Sequence, residues 1–146
     1  LIVLSYNNDN NKVTIAEAEG ITTILSAMKT HSFNSKVQYL CCAALSNLAD
    51  KNENNKVTIA AAGGITTILS AMKTHSSNAT VQEKGCGALS NLALNDKNKV
   101  TIAAAGGIPM ILSEFLGFSG VQICFGLLLN FAVATGMGDF RGTSLK

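Results

Sequence analysis

The 146-residue sequence is poor in charged residues, which make up 14% of it. Eleven lysine and arginine residues nearly balance nine aspartate and glutamate residues, and the single arginine is Arg141. A protein that binds nucleic acid carries a basic patch or stripe on one face, and the lysines here are spread along the chain. The charge pattern therefore argues against a nucleic-acid-binding function.

The spacing of the cysteines excludes the common metal sites. The four cysteines, Cys41, Cys42, Cys86 and Cys124, form no CxxC pair and no other metal-binding spacing. We therefore predict no metal and no cofactor. Unpaired thiols of this kind favour a reducing compartment, either the cytoplasm or the nucleus.

The first residues lack the features of a signal peptide. The chain begins with Leu1 rather than methionine, and its opening LIVL has neither the basic flank nor the length of a secretion signal. We expect the chain to be a fragment of a longer protein.

What the sequence does contain is an internal repeat. Residues 10–34 and 54–78 are identical at 22 of 25 positions with an offset of 44, and residues 98–112 match the second copy at 13 of 15. The runs LCCAALSNLAD, KGCGALSNLAL and CFGLLLNFAV follow the three copies in turn. A period of 40–47 residues is typical of armadillo or HEAT arrays, in which each unit covers the apolar face of its neighbour.

Each copy predicts three helices, and the second copy shows them best. A short helix over about Asn55–Ala62 ends at a glycine pair, which permits a sharp reversal. The second helix then carries an apolar stripe at helical spacing, and a third, longer helix follows the polar loop KTHSSNA. The stripes consist of Ile65, Ile68, Leu69 and Met72 in the second helix, and of Val81, Gly85, Ala88, Leu89 and Leu92 in the third.

The glycine pair has one constant and one variable position. The second glycine recurs as Gly20, Gly64 and Gly107, whereas the first is present as Gly63 and Gly106 and replaced by Glu19. We therefore expect the second glycine to meet the conformational demand of the turn and the first to be replaceable.

Taken together, NKVTIAAAGGI, VQ and GALSNLA resemble the armadillo repeat over residues 10–134. The resemblance implies an all-α fold, a right-handed superhelix of three-helix repeats. The implied organisation is the tail of a preceding repeat at 1–9, repeats at 10–53 and 54–97, a divergent repeat at 98–135 and a C-terminal tail at 136–146.

The resemblance also implies a peptide-binding groove lined by the third helices. In that family an asparagine near the end of each third helix hydrogen-bonds the backbone of an extended partner, because a carboxamide can both donate and accept. The matching residues are Asn47, Asn91 and Asn130, with Ala43, Gly87 and Gly126 one turn earlier and Tyr39, Glu83 and Gln122 one turn earlier still. Specificity is expected from the last of these rows, which varies most between copies.

A second interpretation of these asparagines stays open. Each can instead satisfy a backbone carbonyl of the adjacent repeat or cap a helix end. The nuclear-import members of the family place tryptophan four residues before the asparagine, and this chain has no tryptophan. Recognition of lysine-rich import signals is therefore doubtful, and the partner is not identified.

Motifs of enzymes are weak in this sequence. The run AAAGGI lacks the strand and the lysine of a phosphate-binding loop, and Glu19 puts a carboxylate where a phosphate would sit. His31 and His75 are repeat-equivalent, which fits duplication better than a catalytic pair. Cys42 and Cys86 are also repeat-equivalent and are expected in the core rather than as nucleophiles. We predict a non-catalytic protein.

The segment Phe115–Gly138 carries no charge over 24 residues. It is long enough to be a candidate membrane span, but its VQ and NFA elements match the third helices of the earlier copies, so we favour a divergent repeat. Its bulky residues could also mediate self-association or contact a partner.

The function we predict is a protein–protein interaction scaffold or adaptor that binds an extended peptide segment of its partner. The competing hypotheses are a nuclear transport adaptor and a regulatory repeat module of a larger enzyme.

Overall fold

The computed structural model describes residues 1–110, and all regular secondary structure in this part of the chain is α-helical. The helices are α1 (Ile2–Ser5), α2 (Asp9–Glu17), α3 (Gly20–Thr30), α4 (Ser35–Ala49), α5 (Glu53–Ala61), α6 (Gly64–Thr74), α7 (Ala79–Leu92) and α8 (Asp96–Ala104), and the backbone is helical again at 107–110. The predicted all-α class is confirmed.

The helices follow the internal repeat of the sequence. We call α2–α4 the first unit and α5–α7 the second unit. Their helices have 9, 11 and 15 residues in the first unit and 9, 11 and 14 in the second. In each unit the second helix packs on the third, and α7 packs along α4 of the preceding unit.

Asparagine caps set where most of these helices begin. The Oδ1 of Asn52 accepts a hydrogen bond from the backbone N–H of Asn55 at 2.9 Å, so α5 begins at Glu53 rather than at Asn55 as predicted. The same cap is made by Asn8, Asn34, Asn78 and Asn95 at the starts of α2, α4, α7 and α8. The predicted KTHSSNA loop is also shorter in the structure, because α6 continues to Thr74.

The predicted apolar stripes form the core. Ile65, Ile68, Leu69 and Met72 of α6 are buried, as are Val81, Gly85, Ala88, Leu89 and Leu92 of α7. These residues, apart from Val81 and Gly85, join the corresponding side chains of α3 and α4 in one cluster that runs through both units. Small residues in α7 let helices approach closely, since a β-carbon at Gly85 would lie 2.6 Å from Cγ of Met72.

In the structure, the first position of the glycine pair, and not the second as expected, requires an unusual backbone conformation. The first position has the left-handed backbone, with φ of 80° at Gly63 and 82° at Gly106. Glu19 occupies the same position with φ of 56°, a conformation that costs a residue with a β-carbon about 1 kcal/mol. The conformational demand therefore falls on the first position, and the expectation that the second one meets it is wrong.

The second glycine is constant for a steric reason. A β-carbon at Gly64 would lie 2.5 Å from Cγ2 and 2.7 Å from the carbonyl oxygen of Ile59. Gly20 and Gly107 show the same 2.5 Å approach to Ile15 and Ile102. The second helix of each unit thus begins against the backbone of the first helix, where only glycine fits.

Alanine substitutions should separate the two demands. We expect Gly63→Ala to lower the free energy of unfolding by about 1 kcal/mol through backbone strain, and Gly64→Ala to lower it by about 2–3 kcal/mol through overlap with Ile59. Urea denaturation followed by circular dichroism measures both. Equal losses, or a larger loss at Gly63, would contradict this assignment.

A row of buried asparagines joins consecutive units. Asn55, which is 4% exposed, places Nδ2 3.0 Å from the carbonyl oxygen of Leu48 and 3.3 Å from that of Lys12. It therefore connects α5 to two helices of the preceding unit, the last turn of α4 and the first helix α2. Asn98 donates the equivalent hydrogen bonds to the carbonyls of Leu92 and Lys56. Asn11 donates the equivalent of the bond to Leu48, to the carbonyl of Leu4.

Replacing this asparagine should destabilise the protein. Asn55→Leu removes both hydrogen bonds that Nδ2 donates and leaves the buried carbonyl of Leu48 without a donor, so we expect the free energy of unfolding to fall by about 1–3 kcal/mol. The neighbouring Asn54 is exposed, so Asn54→Leu should change it by less than about 0.5 kcal/mol. Thermal and urea unfolding compare the two variants, and similar losses at both positions would refute a bridging role.

Candidate functional site

The residues predicted to line a groove lie on α4 and α7, which pack side by side. We call their exposed side the α4/α7 surface. Tyr39, Ala43 and Asn47 occupy it at four-residue intervals on α4 and are partly exposed. On α7, Gly87 and Asn91 are partly exposed and Glu83 is fully exposed. The predicted third set, Gln122, Gly126 and Asn130, lies outside the described residues.

The two asparagines use their amide nitrogens to hold neighbouring helices together. Asn91 places Nδ2 3.0 Å from the carbonyl oxygen and 3.1 Å from the hydroxyl oxygen of Ser46. Asn47 places Nδ2 3.4 Å from the carbonyl oxygen of Ile2, the repeat equivalent of Ser46. The interpretation that these side chains satisfy a neighbouring repeat thus holds for the nitrogen half of each carboxamide.

The oxygen half of each carboxamide remains available. Within residues 1–110 no hydrogen-bond donor contacts Oδ1 of Asn47 or Asn91, and neither residue is fully buried. A ligand on this surface would therefore have to donate a hydrogen bond to these asparagines. The sequence suggested that each carboxamide could both donate to a ligand and accept from it. Tertiary packing uses the donor, so only the acceptor oxygen is available to a ligand.

A small polar pocket lies at the asparagine end of the surface. It has a volume of about 80 Å³ and is lined by Ser5, Tyr6, Asn7, Lys12, Asn47, Asp50 and Asn91. Lys12 is only 2% exposed; its Nζ lies 3.1 Å from Oδ1 of Asp9 and 2.9 Å from the carbonyl oxygen of Asp50. These two interactions offset the cost of burying the charged ammonium group.

Sequence reasoning missed Lys12 and its partners, although a signal was present. Lys12, Lys56 and Lys99 are identical in the three copies, and each follows an acidic residue by three positions. All three form that ion pair, at 3.1, 3.1 and 2.8 Å, with Asp9, Glu53 and Asp96. A lysine repeated at a fixed distance from a carboxylate is therefore a readable sign of a structural ion pair.

These pairs affect the exposed acids. Hydrogen bonds from Asn95 and then from Lys56 hold the pKa of Glu53 below its usual value, and Lys99 lowers the pKa of Asp96 in the same way. Asn95 of one unit thereby contacts Glu53 of the preceding one. Both carboxylates stay ionised at neutral pH, and each forms an ion pair with the lysine of its own helix.

The histidines and cysteines behave as repeated structural residues. His31 and His75 lie in matching loops, and Nε2 of His75 is 2.8 Å from the carbonyl oxygen of Ser32 in the first unit. Cys42 and Cys86 are fully buried, as predicted. Burial, with a smaller contribution from Cys41, raises the pKa of Cys42 to about 12. Among residues 1–110, no group of three or more His, Cys, Asp or Glu side chains is placed to hold a metal ion.

Burial predicts the order in which the thiols react. Cys41 is partly exposed and burial also raises its pKa, so it should be alkylated by iodoacetamide at pH 8 more slowly than a free thiol. Cys42 and Cys86 should react only after unfolding in urea. Peptide mass spectrometry over a time course distinguishes the sites, and modification of Cys42 in the folded protein at the rate of Cys41 would contradict the expected order.

The candidate membrane span of the sequence, Phe115–Gly138, lies outside the described residues. Within residues 1–110 no single helix is long and apolar enough to cross a membrane. The helices α5 and α6 together reach the length and composition required, but they are bent by 69° relative to each other.

Comparison with known proteins extends only to the fold. No protein-family model matches the sequence, and no curated protein matches it. One similar solved structure is the crystal structure of an engineered protein, a Northeast Structural Genomics Consortium target, with a TM-score of 0.77 and 20% sequence identity. The match covers 94% of this chain and 54% of the engineered one, so this chain spans about half the length of that protein.

Proposed function

We propose that the chain is a segment of an armadillo-type solenoid that binds an extended segment of a partner protein along the α4/α7 surface. It acts without catalysis, as a scaffold or adaptor in the cytoplasm. The repeats of this solenoid correspond to residues 10–53, 54–97 and 98–135. The observation that carries the proposal is the pair of asparagine acceptors, Asn47 and Asn91, at equivalent positions of adjacent third helices.

The spacing of these acceptors suits an extended peptide. Packed helices lie about 8–10 Å apart, and an extended chain advances about 3.3 Å per residue. Successive asparagines would therefore meet every third residue of the ligand. Since the free atom is Oδ1 in each case, the groups that meet them are backbone N–H groups of the ligand.

Gly87 gives independent support. It lies inside α7, where glycine costs about 1 kcal/mol relative to alanine. A β-carbon at Gly87 would have no atom closer than Oγ of Ser46 at 4.0 Å, and its φ is not in the left-handed region. Packing explains Gly85 but not Gly87, so the absence of a side chain there fits a ligand that passes close to the helix backbone.

The α4/α7 surface carries little charge of its own. Glu83 and Lys84 are adjacent and pair with each other at 2.8 Å, and Tyr39 and Ala43 on α4 are uncharged. Such a surface favours neither a strongly acidic nor a strongly basic partner. Binding would depend on backbone hydrogen bonds and on contact with the Tyr39 ring.

A bulky side chain in place of Gly87 on the α4/α7 surface tests the proposal. Random 12-residue peptides selected on the wild-type chain by phage display should bind Gly87→Arg at least ten-fold more weakly, because the arginine side chain fills the space above α7. The fold should tolerate the change, since the site has room for a β-carbon.

Ser70→Arg is the matched control, because Ser70 is exposed on α6, away from the α4/α7 surface. It should bind the selected peptides like the wild type, and circular dichroism should show equal helix content in all three proteins. Failure to select any peptide, or equal binding by Gly87→Arg and wild type, would refute the proposed function.

A further inference from the structure

A second cleft lies between α3 and α6, the second helices of the two units. We call it the α3/α6 cleft, and its volume is about 200 Å³. Apart from Met28 and Ala71, all of its lining residues are polar. Both helices belong to units whose three helices are all described, so the cleft is a feature of the junction between units rather than of either edge of the structure.

Three hydroxyl groups of the cleft are free to donate. Ser32, in the loop after α3, and Ser70 and Thr74 of α6 make no side-chain hydrogen bond within residues 1–110. The loop is fixed relative to the second unit, because Nε2 of His75 lies 2.8 Å from the carbonyl oxygen of Ser32. A ligand in the cleft can therefore accept hydrogen bonds from both units.

Lys29 gives the cleft a positive charge. It is exposed, and among the described residues that line the cleft it alone is charged. No acid forms an ion pair with it within residues 1–110, whereas Lys12, Lys56 and Lys99 are each paired with an acid of their own helix. A cleft with an uncompensated ammonium group favours an anion.

The cleft also contains a buried oxygen without a donor. Gln38 lines the cleft and is only 1% exposed. Its Nε2 donates to the carbonyl oxygens of Met28 and His31, at 2.9 and 2.8 Å. Its Oε1 has no donor in the part of the chain that the structure describes. A buried acceptor without a partner costs free energy, so a ligand that donates to Gln38 would be favoured.

Two further oxygens of the cleft can only accept. The hydroxyls of Thr66 and Thr67 both donate to the carbonyl oxygen of Gly63, at 2.9 Å. A hydroxyl has a single hydrogen to donate, so toward a ligand these oxygens act as acceptors. The cleft thus requires a ligand that is negatively charged, accepts several hydrogen bonds and also donates at least one.

A phosphate that keeps a proton meets these requirements, since it carries charged oxygens together with a P–OH group. An ionised carboxylate accepts hydrogen bonds but donates none. We propose that the α3/α6 cleft binds a protonated phosphate group, either free or carried by a small molecule. Lys29 and the free hydroxyls donate to its oxygens, and its P–OH group donates to Oε1 of Gln38. The site is separate from the α4/α7 surface and does not depend on the proposed function.

The test is an NMR titration of the full ¹⁵N-labelled chain at about pH 6, where about half of a phosphate monoester keeps its proton. The probes are inorganic phosphate and glycerol 3-phosphate. Sulfate is the matched control, because it has the same tetrahedral shape but no proton to donate at this pH. We expect saturable shifts of the backbone amides of Ser32, Ser70 and Thr74, with a dissociation constant of roughly a millimolar for phosphate and clearly weaker binding of sulfate.

The two probes distinguish the sources of the phosphate. Tighter binding of glycerol 3-phosphate than of inorganic phosphate would support the proposal with a phosphate monoester as the ligand. Tighter binding of inorganic phosphate would support it with free phosphate as the ligand.

Two variants of the chain locate the contact. Lys29→Met should weaken phosphate binding about ten-fold through loss of a charge-assisted hydrogen bond, and Ser70→Ala should weaken it about three- to ten-fold through one lost hydrogen bond. Lys97→Met is the matched control, because Lys97 is exposed on α8 and does not line the cleft. It should bind phosphate like the wild type, and circular dichroism should show all three variants folded.

Three results would overturn the proposal. The first is the absence of saturable shifts at the cleft with tens of millimolar phosphate. The second is binding of sulfate as tight as that of phosphate, since a proton on the ligand would then be unnecessary. The third is equal weakening by Lys29→Met and Lys97→Met.

Discussion

The structure depends on hydrogen bonds from asparagine amides to the carbonyls near the end of each third helix. The last carbonyls of an α-helix have no partner within the helix, and close stacking of the units buries some of them. Asn55 supplies a donor to the carbonyl of Leu48, and Asn98 and Asn91 add a second donor to the carbonyls of Leu92 and Ser46, which also accept from the backbone N–H groups of Asn95 and Asp50. The donors come from the repeated sequence itself, so each unit completes the one before it.

This constraint also shapes the candidate binding surface. Because Nδ2 of Asn91 is committed to Ser46, the surface offers oxygen acceptors rather than complete carboxamides. The pocket beside it contains an ammonium group, Lys12, that is already paired with Asp9 and with the carbonyl of Asp50. Within the Asn91 side chain, the nitrogen therefore has a structural role and the oxygen is available for binding.

Much of the fold could be predicted from the sequence, because the repeat displays the same pattern more than once. Spacing at i, i+3, i+4 and i+7 located the buried stripe of α6, and asparagines marked the helix starts to within two residues. The roles of the glycine pair could not be predicted in the same way. Replacement of the first glycine by Glu19 suggested a permissive position, whereas its left-handed backbone shows strain that the chain tolerates.

By itself, the sequence determined the helices, their order and the residues of their buried faces, since these follow from local periodicity and from the identity of the copies. Only the tertiary structure decided which atom of Asn47 and Asn91 is free, why Gly64 is constant, and that Lys12 is buried among its partners. These properties arise from contacts between residues about 40 positions apart or between successive helices. Spacing along the chain does not record which atoms meet there.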